Sequence, residues 1–146
     1  MSFCLTCGSK PKRSFYKYCS NKCQRTYQYN EYIKRWKLGL VHGDRGIITK
    51  NISGHIKRYL IELYGEKCLL CNWNIKHSIT GKVPLEIDHI NGNAEDNREE
   101  NLRLICPNCD SLTPTYAALN KGKGRENRIQ SKRSREAHFL DGLNVV

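Results

Sequence analysis

The 146-residue sequence contains eight cysteines in four close pairs, and this arrangement constrains its fold more than any other feature. Two of the pairs, Cys68-Leu-Leu-Cys71 and Cys106-Pro-Asn-Cys109, have the C-x2-C spacing that is typical of tetrahedral zinc sites. One zinc ion held by both pairs would join two distant pieces of backbone. Because four thiolate ligands leave no open coordination position, we expect this zinc to be structural.

The other two pairs lie near the N-terminus and predict a second structural zinc site. They are Cys4-Leu-Thr-Cys7 and Cys19-Ser-Asn-Lys-Cys23, with 11 residues between them, which indicates a compact zinc ribbon or knuckle. Gly8 suits the tight turn after the first pair. This finger either only caps the fold or also binds a ligand. Its many basic residues favour contact with a phosphate backbone without implying that bases are read.

Length and composition agree with a small metal-stabilised protein. The chain suits one domain of modest core or two very small ones, and zinc would supplement a thin hydrophobic core. No apolar run approaches the ~20 residues that cross a bilayer, so no membrane contact is expected. The N-terminus has no signal-peptide pattern. We therefore expect a cytoplasmic protein whose thiols stay reduced, which favours zinc over disulfides.

The net charge of +11 is unevenly distributed along the chain. Residues 1–60 carry 13 Lys/Arg and 2 Asp/Glu, residues 61–110 carry 5 and 9, and residues 111–146 carry 7 and 3. Lysine and arginine neutralise phosphates, whereas carboxylates gather divalent cations. Two basic arms around an acidic centre therefore indicate a nucleic-acid partner, although a charge run alone is often only a solvated surface.

Two helices are predicted before the central cysteines. The first covers Gln24–Lys37, with Tyr29, Ile33 and Trp36 on one face and Lys34 and Arg35 near its C-terminal end. The second covers His55–Tyr64, with an apolar face of Ile56, Leu60 and Leu63 and a stop at Gly65. The glycine-containing segment between them, residues 39–52, is predicted to be an irregular linker.

A β-hairpin followed by a helix is predicted between the central cysteine pairs, which are 34 residues apart. Val83–Ile90 has the composition of a strand, and Asn91-Gly92-Asn93 ends it with turn residues. Asn101–Ile105 forms the second strand. A short helix then begins at Cys106, because Pro107 suits the first helical position.

The motif Asp88-His89-Ile…Asn101-Leu…Cys106-x-x-Cys109 resembles the HNH endonucleases, whose fold is a ββα-metal unit. The wider run over residues 55–128 resembles small phage-type members, and an N-terminal cysteine finger is similar to some of that group. The resemblance implies an α+β zinc-stabilised nuclease that hydrolyses DNA. It leaves open whether cutting is site-specific, as in homing or restriction, or general.

The chemistry of the resembling residues suits phosphodiester hydrolysis. His89 is the expected general base, since a neutral imidazole accepts a proton from water. Asp88 is a hard oxygen ligand for Mg²⁺ or Mn²⁺. By resemblance, Asn101 braces the loop between the strands. Asp110 occupies the position of the family's usual final His, and it either serves as an oxygen ligand or weakens the site.

The predicted division of the chain follows from these motifs. Residues 1–50 are expected to be a zinc finger and basic helix that contact DNA, residues 51–128 the nuclease, and residues 129–146 a basic tail. Cations placed to meet double-stranded DNA are Lys34, Arg35, Lys121, Lys123, Arg125 and Arg128. The chain would act as a monomer or homodimer. The alternatives are a non-catalytic zinc-dependent DNA-binding protein with a degenerate site and, less favoured, an RNA-directed protein.

Overall fold

Three α-helices and two two-stranded antiparallel sheets occur in the computed structural model, which describes residues 3–46 and 51–122. The chain divides into two units, Met1–Tyr59 and Leu60–Val146. This mixture of helices and small sheets confirms the predicted α+β class. The functional division at residues 50 and 128 stays a prediction.

Helix α1, Asn21–Lys37, begins three residues before its predicted start because Ser20 caps it. The Ser20 hydroxyl accepts a hydrogen bond from the Cys23 amide at 3.2 Å, which satisfies one of the free N–H groups of the first turn. The predicted apolar face is confirmed, since the three residues on it are buried: Tyr29, Ile33 and Trp36.

The segment predicted to be irregular contains a short antiparallel ladder at its ends. Strand β1, Asp44–Arg45, pairs with β2, Asn51–Ile52. The Ser53 amide also donates to the Gly43 carbonyl at 2.8 Å. The prediction was wrong here because each strand has only two residues. Strands this short have no alternating pattern in the sequence, and their pairing depends on structural context.

Helix α2, Gly54–Tyr64, ends before Gly65, as predicted. Gly65 has φ +82, the left-handed conformation that commonly terminates helices. Ile56 and Leu60 are fully buried, but Leu63 is 50% exposed, so the predicted apolar face was wrong at its last position. Leu63 belongs to the final turn, which neighbouring residues leave uncovered.

In the second unit, β3, Glu86–His89, pairs antiparallel with β4, Leu102–Ile105. Helix α3, Pro107–Ser111, follows β4 at once and packs against β3. Strand β3 is shorter than predicted, although Val83 and Leu85 before it are buried. Of two short 3-10 helices, Glu99–Asn101 directly precedes β4 and Ala117–Asn120 follows α3. The hairpin and helix form the expected ββα arrangement.

In the described residues, no helix combines the length and the apolar character that a bilayer crossing requires.

Candidate functional site

Both cysteine knuckles close with the same backbone turn. The Gly8 amide donates to the Cys4 carbonyl, and the Asn72 amide donates to the Cys68 carbonyl, each at 2.9 Å. The residue after each second cysteine has a positive φ, +70 for Gly8 and +60 for Asn72. Asparagine tolerates this left-handed conformation better than most residues, so it replaces glycine in the second knuckle.

The eight thiols gather into two sets of four, as the spacing predicted. In each set the four sulfur atoms lie within 4.8 Å of one another: Cys4, Cys7, Cys19 and Cys23, and Cys68, Cys71, Cys106 and Cys109. None of these cysteines forms a disulfide. The sulfur–sulfur distance is 3.4 Å for Cys19–Cys23 and 3.7 Å for Cys71–Cys106. A tetrahedral zinc site with Zn–S bonds of ~2.3 Å has sulfur atoms ~3.8 Å apart, so both sets fit zinc.

The backbone around the first cysteine of each set favours the thiolate form that binds metal. Hydrogen bonding from the Cys7 backbone lowers the pKa of the Cys4 thiol to about 6. Burial raises the pKa of the Cys68 thiol, but backbone hydrogen bonds from Cys106, Cys71 and Leu70 outweigh burial and lower it to about 6. These amides stabilise negative charge on sulfur and so prepare the sites for a cation.

The register of the β3–β4 hairpin pairs Asp88 with a cation. Asp88 lies opposite Arg103, whose Nε donates to Asp88 Oδ2 at 2.6 Å. The Asp88 side chain is only 7% exposed and that of Arg103 is 23% exposed. A guanidinium therefore holds one oxygen of the expected metal ligand.

His89 lies at the end of β3, with its imidazole bonded to an asparagine in the following loop. The distance from His89 Nε2 to Asn97 Oδ1 is 2.9 Å, and Asn97 is 5% exposed. An amide oxygen only accepts hydrogen bonds, so Nε2 carries the hydrogen in this contact. In a neutral ring the other nitrogen, Nδ1, then has the lone pair that can accept a proton.

The side chain of Asn101 connects the two ends of the loop between β3 and β4. Its Oδ1 accepts from the Asn91 amide at 3.0 Å, and its Nδ2 donates to the Asp96 carbonyl at 2.8 Å and to Asn91 Oδ1 at 3.0 Å. Asn101 is 6% exposed. These bonds hold the backbone directly before Asn97, the residue that contacts His89.

An exposed ion pair strengthens the same loop. Arg98 Nε donates to Asp96 Oδ1 at 2.7 Å, and Asn91 Nδ2 donates to Asp96 Oδ2 at 2.9 Å. The hydrogen bond from Arg98 is the main cause that holds the pKa of Asp96 well below its ordinary value. Asp96 is thus a charged anchor of the loop.

Asp110 lies on α3, near two other carboxylates. Burial is the main cause that raises its pKa, and the negative charges of Asp88 and Glu86 raise it further. Carboxylate oxygens are the hard donors that a divalent cation prefers, so Asp110 and its neighbours are candidate ligands. In the described residues, groups of three or more closely spaced ligand atoms are confined to the two cysteine sets.

The segment after α3 folds back onto the turn that follows β3. Asn120 Nδ2 donates to the Gly92 carbonyl at 2.6 Å, and the Gly92 amide donates to the His89 carbonyl at 2.8 Å. Gly92 has φ +74, and a Cβ there would meet Thr115 Cγ2 at 2.6 Å. Only glycine fits this close approach.

The predicted DNA-contacting cations are only partly described. Lys34 and Arg35 are exposed on α1, in the first unit, and Lys121 is exposed in the second. Lys123, Arg125 and Arg128 and the predicted tail at residues 129–146 lie outside the described residues. Whether these cations contact DNA stays a prediction.

Sequence reasoning missed several residues of this site, namely Asn97, Arg103, Gly92 as a contact residue, and Asn120. Arg103 alternates with apolar residues in β4, which indicates that its side chain lies on the opposite face of the strand from theirs. The sequence alone does not give the register of the hairpin, and only this register pairs Arg103 with Asp88. Asn97 carried no comparable signal, because it lies in a polar loop that looked merely solvated.

Comparisons with known proteins agree with the geometry of the second unit. The family described as HNH endonuclease matches residues 77–108. The H-N-H endonuclease F-TflIV of Escherichia phage T5 is 41% identical over 66 residues, covering 45% of this chain and 27% of that protein. Zorya protein ZorE of Escherichia coli is 24% identical over 141 residues, covering 91% of this chain and 38% of that protein. The chain thus spans well under half the length of these two relatives, and no solved structure matches it.

Proposed function

We propose that the second unit is an HNH endonuclease, as the match of residues 77–108 to that family supports, and that the protein hydrolyses phosphodiester bonds of double-stranded DNA with a divalent metal ion. The observation that carries the proposal is the β3–β4 hairpin followed by α3, with Asp88 and His89 at the end of β3 and Asp110 on α3. Hydrolysis needs a base for water and positive charge near the phosphate. The residues of this unit are suited to both tasks.

His89 is proposed to act as the general base. Its Nε2 hydrogen is engaged by Asn97 Oδ1 at 2.9 Å, so Nδ1 is the nitrogen left to accept a proton from the attacking water. Asn101 supports this arrangement by holding the loop that carries Asn97. In this proposal Asn97 and Asn101 are positioning residues, and only His89 touches the reacting water.

Asp88 and Asp110 are proposed to hold the catalytic cation. An Mg²⁺ or Mn²⁺ ion supplies positive charge to the scissile phosphate and the leaving 3′ oxygen when bound. Burial, and then the charges of Asp88 and Glu86, raise the pKa of Asp110. A cation bound there would offset these negative charges, which supports the proposal. Arg103 holds Asp88 Oδ2 and leaves Oδ1 without that bond, so the arginine orients this carboxylate.

The two zinc ions are proposed to be structural. Each would be held by four thiolates, which would leave no position for water or substrate. In the second unit, Cys68 and Cys71 lie in the knuckle, and Cys106 and Cys109 lie at the start of α3. Zinc bound by these four would fix the helix that carries Asp110, one proposed ligand.

The basic arms are proposed to hold the DNA by its phosphates. The net charge of +11 favours binding that weakens steeply as salt rises. A monomer would nick one strand, whereas a homodimer would cut both. Eight reduced thiols suit the cytoplasm as the place of action.

Plasmid cleavage tests the proposal. Supercoiled DNA is incubated with the zinc-loaded chain in Mg²⁺ or Mn²⁺, and with the His89→Ala variant as the comparison. We expect relaxed or linear DNA with the intact chain, and a rate lower by at least about 100-fold with the variant, since general-base catalysis contributes on the order of 10²–10⁴-fold. Equal rates in the two proteins, or no cleavage with either metal ion, would reject the proposal.

A non-catalytic DNA-binding protein is the second candidate, favoured by Asp110 at the position of the usual final ligand. The Asp110→His variant separates the two functions. Cleavage gained only in the variant would identify Asp110 as a degenerate ligand, whereas cleavage lost in the variant would identify Asp110 as a working one.

A further inference from the structure

The N-terminal finger exposes an aromatic pair at the tip of a hydrogen-bonded turn. Phe15 is 70% exposed and Tyr16 is 43% exposed, and their rings meet edge to face with centroids 4.8 Å apart. The Tyr16 amide donates to the Arg13 carbonyl at 3.0 Å, which closes the turn over Ser14 and Phe15. Adjacent exposed rings form a contiguous apolar patch, the kind of surface that marks a binding site when polar residues surround it.

The turn is held by the zinc knuckle rather than by a hydrophobic core. The Leu5 amide, inside the first cysteine pair, donates to the Lys17 carbonyl at 3.1 Å. This bond ties Lys17, the residue after the aromatic pair, to the loop of the first cysteine pair. The rings are therefore presented on a fixed support, so little conformational entropy is lost when a partner covers them.

A cation accompanies the rings, and the charged residues of the finger sequence are all basic. The Arg13 guanidinium carbon lies 5.9 Å from the Phe15 ring centroid and 6.0 Å from that of Tyr16. Between residues 3 and 25 the sequence has six Lys/Arg and no Asp/Glu. The five further cations are also exposed, and they are Lys10, Lys12, Lys17, Lys22 and Arg25. A polyanion with flat apolar faces complements this surface.

We propose that Arg13, Phe15 and Tyr16 form a stacking platform for unpaired bases of DNA, with the finger's lysines on the flanking phosphates. In a regular duplex the base faces are already stacked, so the rings would stay exposed to water. An unpaired base offers its π-face, and stacking on aromatic side chains accepts every base. The finger would thus favour bubbles, flaps or frayed ends over intact duplex.

The proposal concerns DNA binding by the first unit and is tested without cleavage. Fluorescence anisotropy measures the Kd of the full zinc-loaded chain, in a His89→Ala background, for a labelled duplex and for the same duplex with a central unpaired bubble. No chelator is added, because chelation would remove the finger's zinc. A catalytically inactive protein that still binds keeps this result separate from failure of the nuclease proposal.

Phe15→Leu and Phe15→Trp are the deciding variants, because leucine keeps apolar bulk but has no ring. Loss of base stacking should weaken bubble binding by at least about fivefold in Phe15→Leu, with duplex binding changed by less than about twofold. Phe15→Trp should restore bubble binding. Cobalt substitution is the control for folding, since equal thiolate-to-cobalt absorption in wild type and Phe15→Leu would show that the variant keeps both four-cysteine sites.

Two control variants complete the experiment. Ile79→Ala removes a side chain that is 88% exposed in the second unit and should leave both Kd values unchanged. Lys12→Ala should weaken bubble and duplex binding equally. It should also reduce the slope of log Kd against log salt concentration by about one. Wild-type bubble binding by Phe15→Leu, or an equal loss for bubble and duplex in that variant, would overturn the proposal.

Discussion

The orientation of a single imidazole ring decides which nitrogen of His89 can accept a proton. The ring is half-buried at the end of β3, and Asn97 engages its Nε2 at 2.9 Å. The other tautomer, with its hydrogen on Nδ1, would place the Nε2 lone pair against the amide oxygen and lose this bond. Asn97 therefore selects one tautomer through one contact.

Replacing Asn97 by alanine should lower kcat by about 10- to 100-fold. A catalytic group that is misplaced by ~1 Å can lower the rate by about 100-fold. KM should stay unchanged, since Asn97 is buried beside the histidine and not on the DNA surface. Single-turnover and steady-state cleavage measure the two constants. Asn74→Ala, at an exposed position, is the matched control. A change in KM alone would contradict the role of Asn97.

Two aspartate–arginine pairs with similar distances differ in burial and should differ in energy. Arg103 meets Asp88 at 2.6 Å where both side chains are largely covered, whereas Arg98 meets Asp96 at 2.7 Å with its own side chain 69% exposed. Arg103→Gln leaves a buried carboxylate poorly compensated and should lower the free energy of unfolding by about 2–3 kcal/mol, below the ~3–5 typical of fully buried pairs. Arg98→Gln should cost less than about 1 kcal/mol.

Urea denaturation of the zinc-loaded variants measures both losses. Added Mg²⁺ or Mn²⁺ should recover more stability in Arg103→Gln than in Arg98→Gln, because the cation replaces the lost positive charge beside Asp88. Equal losses for the two variants would show that burial of the Asp88 pair has no energetic consequence.

Asp96 should make the loop between β3 and β4 sensitive to acid. The hydrogen bond from Arg98, followed by other bonds, lowers the pKa of Asp96 in the folded protein. A lowered folded pKa adds stability that is complete above the ordinary value of ~3.9 and is lost as pH falls through the folded pKa. Asp96→Asn lacks this contribution at every pH.

The difference in free energy of unfolding between wild type and Asp96→Asn should therefore be constant from pH 7 to about 5 and shrink below about pH 4. Urea titrations at each pH measure it, and loss of zinc in acid affects both proteins alike. A difference that grows as pH falls would have the wrong sign for this ion pair.

At the scale of elements, one close approach joins the turn after β3 to the segment after α3. Gly92→Ala places a Cβ 2.6 Å from Thr115 Cγ2 and 2.9 Å from Asn120 Oδ1 at φ +74. We expect a loss of more than about 2 kcal/mol, since strain of ~1–2 kcal/mol from the left-handed conformation adds to the clash.

Gly81→Ala is the matched control for Gly92→Ala. Gly81 also has a positive φ, +66, but a Cβ there meets nothing within 4 Å. Its cost should be limited to about 1 kcal/mol of backbone strain. Thermal unfolding compares the two variants, and equal losses would mean that the contact with the segment after α3 contributes nothing.

Local signals predicted the elements better than the contacts between them. The two zinc sets follow from C-x2-C and C-x3-C spacing, and α1 follows from its apolar repeat and lack of glycine and proline. The pairing of Asp88 with Arg103 could not be predicted, because it depends on the register of a hairpin. The contact between Asn97 and His89 likewise depends on the path of the loop that joins them, which composition does not determine.

At the scale of the whole molecule, acidic and basic residues are concentrated in different parts of the chain, as the proposed function requires. The acids gather in residues 61–110, where the proposed ion site lies, and the excess of basic residues lies in the flanking parts. Each cation that binds a phosphate adds to the affinity for DNA, but these contacts do not distinguish one base sequence from another. Specificity, where it exists, would come from the shape or the unpaired bases of the DNA and not from this charge.

The most direct test of the central claim is the single-turnover rate of strand scission on an end-labelled duplex, with the product ends identified. The intact zinc-loaded chain in Mg²⁺ or Mn²⁺ should produce 5′-phosphate and 3′-hydroxyl ends that DNA ligase reseals, and His89→Ala should bind the same duplex but cut at least about 100-fold more slowly. Undiminished scission by His89→Ala, or binding by the intact chain without scission in either metal ion, would contradict catalysis by this histidine.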